Sequence, residues 1–248
     1  MIYSVINYRS MKSIREIFES KYFIRYLIEF VVIIASILIS FFIEKQNIIK
    51  HESELKNQSL KRLITNIEAD ILDSKENNKI HSKIVNYSKI LIERGDQLFE
   101  NDKDSLGYLF TYASTAMTIF VDNKEEYFTL RNSGLLELIK NDKLVSLLQS
   151  KYSNHQFYKE IEKNISSLNQ EMAISVNTKT SYKNKATDEK GEIRFYGVYI
   201  DENPLTNFEL NLIQHKSGLS NYYLKKINEG IQSDSIIIEY MKNEIKKK

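Results

Sequence analysis

The chain has 248 residues, of which 27% are charged and 42% hydrophobic, with a net charge of +2; these values exclude wholesale disorder, a multi-span membrane protein and a partner selected by net charge. There is no cysteine, which excludes disulfide scaffolds, zinc fingers, iron–sulfur clusters and thiol catalysis. Seven glycines and a single proline, Pro204, are too few for a turn-dense β-sandwich or a glycine-looped nucleotide enzyme, so the composition predicts long helices and an all-α fold.

Residues 1–21 form a basic leader. From Tyr22 to Ile43 the sequence reads YFIRYLIEFVVIIASILISFFI, without charge from Phe30 to Ile43. As a helix this stretch is about 33 Å long, enough to cross a hydrocarbon core of roughly 30 Å. From Phe30 to Ile43 only Ser36 and Ser40 interrupt the apolar faces, whereas a buried soluble helix would show a polar stripe. The long leader and the absence of small residues at its end argue against a cleaved signal peptide, so the segment reads as a signal anchor. Arg9, Lys12, Arg15, Lys21 and Arg25 precede the span, and Lys45, Lys50 and Lys56 follow it more sparsely. The positive-inside rule places the N-terminus in the cytoplasm. Within the span, Glu29 lies one turn from Arg25; it is either a functional membrane carboxylate or a partner for Arg25 near the interface.

No glycine or proline occurs between Ile43 and Gly95, so the membrane helix is expected to continue as a stalk over residues 44–72 into a helical bundle over 73–248. Leu60, Ile64, Ile67 and Ile71 form one helical face, and Ile80, Ile84, Tyr87, Leu91 and Leu98 a second. The polar run Asp73–Asn78 between them reads as a bend or as a polar crossing point. Gly95 and Asn101–Asp104 mark a loop. Leu106, Leu109, Phe110, Ala113, Met117 and Phe120 follow the helical template. Asp122 with Glu125 suggests a capped start for the next helix, and Gly134 its stop. Asn141 caps a long helix with Leu144, Leu148, Tyr152, His155, Ile165 and Met172 inward. Residues 177–191 read as a polar loop, and residues 192–200 allow one short β-hairpin. Asn203–Pro204 suggests a cap for a short helix ending before Gly218, and a last helix starts near Ser220 with Tyr223, Ile227, Ile238 and Met241 inward.

Two segments together, YLIEFVVIIASILISFFIEKQN and EEYFTLRNSGLLELIKNDKLVSLLQSKY, resemble an uncharacterised bacterial family of small single-pass membrane proteins. In that family a basic leader and an acidic-residue-bearing span precede a long helix and a Tyr-x-x-Leu-x-x-Ser-Gly-x-Leu-x-x-Ile-x-x-x-x-Leu segment. Here that segment is Tyr127, Leu130, Ser133, Gly134, Leu136, Ile139 and Leu144. Members often carry glycine just before the acidic residue of the span, where this chain has Ile28. The resemblance covers most of the chain and implies an inner-membrane anchor with a helical domain in the periplasm, but no activity. Read from the residues alone, Leu130, Leu136 and Ile139 pack while Ser133–Gly134 closes one helix and turns into the next.

Catalytic and cofactor chemistry is not signalled. The four histidines, His51, His81, His155 and His215, lack metal-ligand spacing; His155, on an apolar stripe, reads as a hydrogen-bonded core residue. Glu125–Glu126 and Glu160–Glu162 read as solvated helix faces. No phosphate loop, dinucleotide fingerprint or nucleophile elbow is present. The basic cluster Lys246–Lys248 reads as a solubilising tail rather than a nucleic-acid contact. The expected function is that of a membrane-anchored, non-enzymatic helical domain without cofactor or metal, acting by association with another copy or an envelope protein, or as a sensor-like module. The alternative is an oligomeric pore or membrane-disrupting effector that uses Glu29. An enzyme would need a cleft that brings His81, His155 or His215 beside a carboxylate.

Overall fold

The computed structural model describes residues 21–187 and 193–246; the basic leader lies outside them except for Lys21. The chain divides into two units, Met1–Leu55 and Lys56–Lys248. In the first, the described residues are helical and, from Ile24 to Lys50, exposed throughout. Ser36 and Ser40 donate their hydroxyls to the carbonyls of Val32 and Ser36 at 2.8 and 2.9 Å. Such back-bonding hides a polar group within the helix itself.

The second unit is all helical apart from one two-stranded sheet. Its first helix belongs to α1, Lys21–Asn101. Gly95 lies inside α1 with open space around it, so the expected loop there does not form; a single glycine lowers helix propensity without ending a helix. Nor does the run Asp73–Asn78 bend the chain. Ser74 and Asn77 are buried, and the run is the polar crossing point.

A reversal at Asp102 starts α2, Lys103–Thr115, whose first turn is capped by Asp102 Oδ1 accepting from Ser105 N at 3.0 Å. The helix expected through Met117 and Phe120 stops at Thr115, where Ala116 turns extended, and a non-helical stretch to Lys124 leads to α3, Glu125–Asn132. Gly134 then takes the left-handed conformation at φ 76°, as a helix-ending glycine does. One 3-10 turn, Leu135–Leu138, precedes α4, Asp142–Lys179, where Asn141 Oδ1 accepts from Leu144 N at 3.2 Å as expected.

Three boundaries differ from expectation. The supposed loop 177–191 is the end of α4 and then strand β1, Thr180–Thr187, for its described part. It pairs antiparallel with β2, Ile193–Tyr199, in the register Thr180 to Tyr199, with a bulge between Ser181 and Asn184. Pro204 precedes the last helix instead of opening it. Thr206 is the cap: its N–H donates to Glu209 Oε2 at 2.7 Å and its hydroxyl accepts from Glu209 N at 3.3 Å, a reciprocal capping box. The two helices expected on either side of Gly218 are one, α5, Asn207–Lys246.

Helix α5 runs antiparallel to α1, with Lys56 against Glu244, Asn78 against Asn228, and the His81 and Tyr223 rings 4.5 Å apart. It runs antiparallel to α4 as well, with Lys151 against Asp234, Glu162 against Tyr223, and Lys179 against Glu209. Three apolar clusters fill the bundle. Leu60, Ile67, Leu130, Leu144 and Met241 belong to the first, Phe110, Met172, Tyr199 and Ile213 to the second, and Ile161, Ile165, Tyr223 and Ile227 to the third. Each fully buried side chain of this size contributes about 1.5–3 kcal/mol against exposure. The hairpin is fastened by contact with α2: a Cβ on Gly107 would lie 2.3 Å from Tyr199 N and 2.4 Å from Gly197 O.

Because backbone atoms crowd Gly107 and nothing crowds Gly95, the two glycines should respond oppositely to alanine. In urea unfolding of the full chain in detergent, Gly107→Ala is expected to lose about 3 kcal/mol or more, and Gly95→Ala to gain about 0.5–1 kcal/mol. Equal effects at the two positions would contradict the packing described.

Candidate functional site

In the apolar helix, Arg25 Nε lies 3.1 Å from Glu29 Oε1, with both side chains at least half exposed. The two form the i,i+4 pair that their spacing suggests, so Glu29 has a partner within its own helix.

The family-pattern residues lie together at one core. Tyr127, Leu130, Leu136, Ile139 and Leu144 are buried in the first apolar cluster. Tyr127 stacks on Tyr152 with centroids 4.2 Å apart. The Ser133 hydroxyl donates to Leu130 O at 3.2 Å beside left-handed Gly134. Packing and turn chemistry thus account for all seven positions.

The polar interior is organised around the non-helical stretch Ala116–Lys124. Backbone outside helix and strand has no ladder to satisfy its N–H groups, and each one left unmet costs free energy comparable to a lost hydrogen bond. Carboxylates from two helices meet them. Phe120 N donates to Glu162 Oε1 at 2.7 Å, Val121 N to Asp73 Oδ2 at 3.2 Å, and Asn123 N to Asp70 Oδ1 at 3.1 Å. The Tyr223 hydroxyl also donates to Glu162 Oε1, at 2.6 Å. Glu162 is therefore no solvated surface acid: it is 5% exposed, and burial pushes its carboxyl up against the pull of those two donors. Glu126 is likewise engaged, in a two-pronged contact with Arg62 at 2.9 Å, whereas Glu125 is exposed.

Asp122 does not cap α3, whose preceding residue is Lys124 with no side-chain cap bond. Its Oδ2 lies 3.0 Å from His155 Nδ1 and 3.9 Å from Lys124 Nζ, and its Oδ1 lies 3.5 Å from Lys159 Nζ. Burial works to raise the Asp122 carboxyl, but His155 and the two lysines hold it below the usual carboxylate range. The His155 ring is pushed down by burial and by the Lys151 ammonium. A neutral imidazole donating Nδ1–H to an ionised Asp122 fits both directions.

Next to this pair, Lys151 Nζ bridges Asp70 Oδ2 at 3.0 Å and Asp234 Oδ2 at 2.9 Å. All three are buried. Two carboxylates share one ammonium, and burial raises the Asp234 carboxyl. The arrangement forms one wall of a cleft of about 510 Å³ between α4 and α5, which also includes His155, Tyr158, Tyr222, Lys226 and Glu229. Tyr158 closes against α5 by donating its hydroxyl to Lys226 O at 3.2 Å, over Gly230, where a Cβ would meet that hydroxyl at 2.7 Å.

The structure thus brings a histidine beside a carboxylate at a cleft, the condition set for an enzyme. The pair's other contacts bear on what it does there. His155 packs among the rings of Phe120, Tyr152 and Tyr158, and among the described residues its one hydrogen bond is to Asp122. Among the described residues no three His, Asp or Glu side chains converge in a metal-binding group. His81 is fully buried and bonds Thr118 Oγ1 at 2.9 Å. The bonding at these sites ties helices to the non-helical stretch.

Comparison with protein-family models, with curated proteins and with solved structures gives no match to this chain.

Removing the shared ammonium leaves two buried carboxylates face to face. Lys151→Met is expected to cost about 3–5 kcal/mol at pH 8. The sign of its pH dependence follows from Asp234. A carboxylate whose folded pKa lies above its unfolded one opposes folding once ionised, so the loss should shrink as acid protonates it. Urea unfolding at pH 5 and pH 8 measures this; a loss that is constant or larger at pH 5 would contradict the assignment.

Proposed function

We propose that the chain is a single-pass, membrane-anchored helical module of the bacterial envelope that works by association rather than by catalysis. One observation carries the anchor. Every large apolar side chain from Phe30 to Ile43 is exposed, Ile34 least at 41% and Phe42 most at 64%. Among the described residues, this helix is the one long and apolar enough to cross a membrane. An apolar surface of that length needs a hydrocarbon or protein cover, and serines bonded to their own helix suit lipid. The excess of lysine and arginine before the span supports a cytoplasmic N-terminus and a periplasmic bundle. The resemblance to single-pass family members points the same way.

Association is supported by how the bundle uses its polar groups. Asp70, Asp122, Lys151, Glu162 and Asp234 all hold one element against another. Chemistry would require some of them to be free for a substrate. The α4–α5 cleft gives the module a place to register a small ligand or a partner's side chain, in the manner of helical sensor domains. For Glu29, the bond to Arg25 supports anchoring over lining a pore.

The test is made in native membranes with the full chain. Crosslinking should yield either dimers or a defined envelope partner, and a periplasm-active reporter fused after Lys248 should be active. Free monomers with no co-purifying partner would remove the association reading, and activity from a cytoplasmic reporter alone would reverse the topology. Glu29→Gln should leave ion flux through the membrane unchanged; a changed flux would favour the pore.

A further inference from the structure

The largest unpaid polar cost in the bundle lies away from the cleft. Lys216 on α5 is 0% exposed, and its Nζ has no hydrogen-bond partner. A buried ammonium without a counter-charge is among the least favourable groups a fold can contain. The same is true, at smaller cost, of a set of hydroxyls. Ser88 on α1, Ser114 on α2 and Ser220 on α5 are each 0–1% exposed with an unpartnered oxygen, and His81 Nδ1 is unpartnered too.

The helix register brings these groups to one level. α1 and α5 are antiparallel, and His81 packs on Tyr223. Two turns further along α1 is Ser88, and two turns back along α5 is Lys216, so the two residues lie at the same level; Ser220 lies one turn between. On α2, Ser114 falls between Ala113, in the second apolar cluster, and Met117, beside the third. Lys216 falls between Ile213 of the second cluster and Tyr223 of the third. Three helices therefore contribute one polar layer between two apolar ones.

The layer consists of an ammonium, three hydroxyls that can all donate, and a ring nitrogen. Among the described residues no carboxylate is bonded to Lys216; one amide acceptor, Asn169 Oδ1 on α4, is also buried without a partner where Asn169 Nδ2 donates to Thr115 O. From α1 its titratable member is His81, pushed down to about 4 by burial and by Lys216. α1 also carries Tyr87 next to Ser88, and α2 the tyrosines Tyr108 and Tyr112, whose rings pack on Tyr87. From α4, Glu162 is engaged by Tyr223 and Phe120 N one level away, and on α5 itself Glu209 is engaged by Lys179.

We propose that this layer is an internal anion site, in which Lys216 and the hydroxyls of Ser88, Ser114 and Ser220 hold a small monovalent anion of chloride size. A buried ammonium flanked by hydroxyls that can turn their O–H groups inward favours a guest that accepts hydrogen bonds and carries negative charge. The site is separate from the α4–α5 cleft and does not depend on the envelope reading.

Its pH behaviour follows from Lys216. Burial pushes that amine down to about 7. Because the folded pKa lies below the unfolded one, stability without an anion falls as pH drops from the unfolded value to about 7 and levels off below it. An anion binds the protonated amine, so its effect should be greatest below pH 7 and fade above it.

The experiment is thermal unfolding of the full chain in detergent at pH 6 and pH 9, in sodium chloride and in sodium gluconate at equal ionic strength, with chloride-35 line broadening as a direct readout. The wild type should gain about 4 °C in chloride at pH 6, saturably, and little at pH 9. Chloride-35 broadening should be present at pH 6 and lost in Lys216→Met, which should unfold at the same temperature in both salts. If Lys216→Met does not fold, Ser220→Ala serves instead and should weaken the chloride effect several-fold. Equal melting in chloride and gluconate with no broadening in the wild type would overturn the site and leave Lys216 as a neutral amine among ordered waters. A chloride effect that survives in Lys216→Met, or undiminished in Ser220→Ala, would overturn it as well.

Discussion

The constraint on which this bundle depends is the need to satisfy non-helical backbone alongside helices. Between α2 and α3 the chain runs without helix or strand from Ala116 to Lys124, and its N–H groups have no ladder to pair with. Asp70 and Asp73 reach them from α1 and Glu162 from α4. Each carboxylate thus placed needs its own counterpart. Lys151 answers Asp70 and then requires Asp234, and Tyr223 answers Glu162 while packing on His81. The polar interior is a chain of obligations that starts from one stretch of backbone. Replacing buried ionic groups with apolar ones of equal volume is often neutral or favourable for stability; here it would release the stretch and with it the spacing of α1, α3 and α4.

Periodicity and caps made most of the architecture legible. Asn141 caps α4 and Gly134 turns left-handed because those residue types do so with little tertiary help. The hairpin was visible in Ile193–Tyr199, but its partner strand was not, since Thr180–Thr187 is polar and carries no alternation of apolar residues. Glycine misled at Gly95 and Gly218. Both lie within helices, where neighbouring packing outweighs the modest propensity loss of one residue. At Pro204 the mistake was one of spacing, because the capping pair is Thr206 and Glu209, whose three-residue interval is the stronger signal.

The polar core was the least legible part. Lys151 lies on the stripe between Leu148 and His155, Asp234 between Ile227 and Ile238, and Lys216 between Ile213 and Tyr223, all at inward helical spacing. Charged residues on an apolar stripe are the one sequence mark these groups leave. Counting them as solvated because they are charged hides them, as it hid Glu162. Which charge meets which depends on antiparallel register across the helices, and no local pattern carries that.

All three apolar clusters include residues of α5: Met241 in the first, Ile213 in the second, Tyr223 and Ile227 in the third. α5 also follows every other element of the bundle in the sequence. None of the three clusters is complete before α5 has joined it, and until then the apolar stripe of α1 from Leu60 to Leu91 lacks part of its cover. Completion of each cluster thus waits on the docking of α5, and until it docks hydrophobic residues of α1 are open to chaperones and proteases alike.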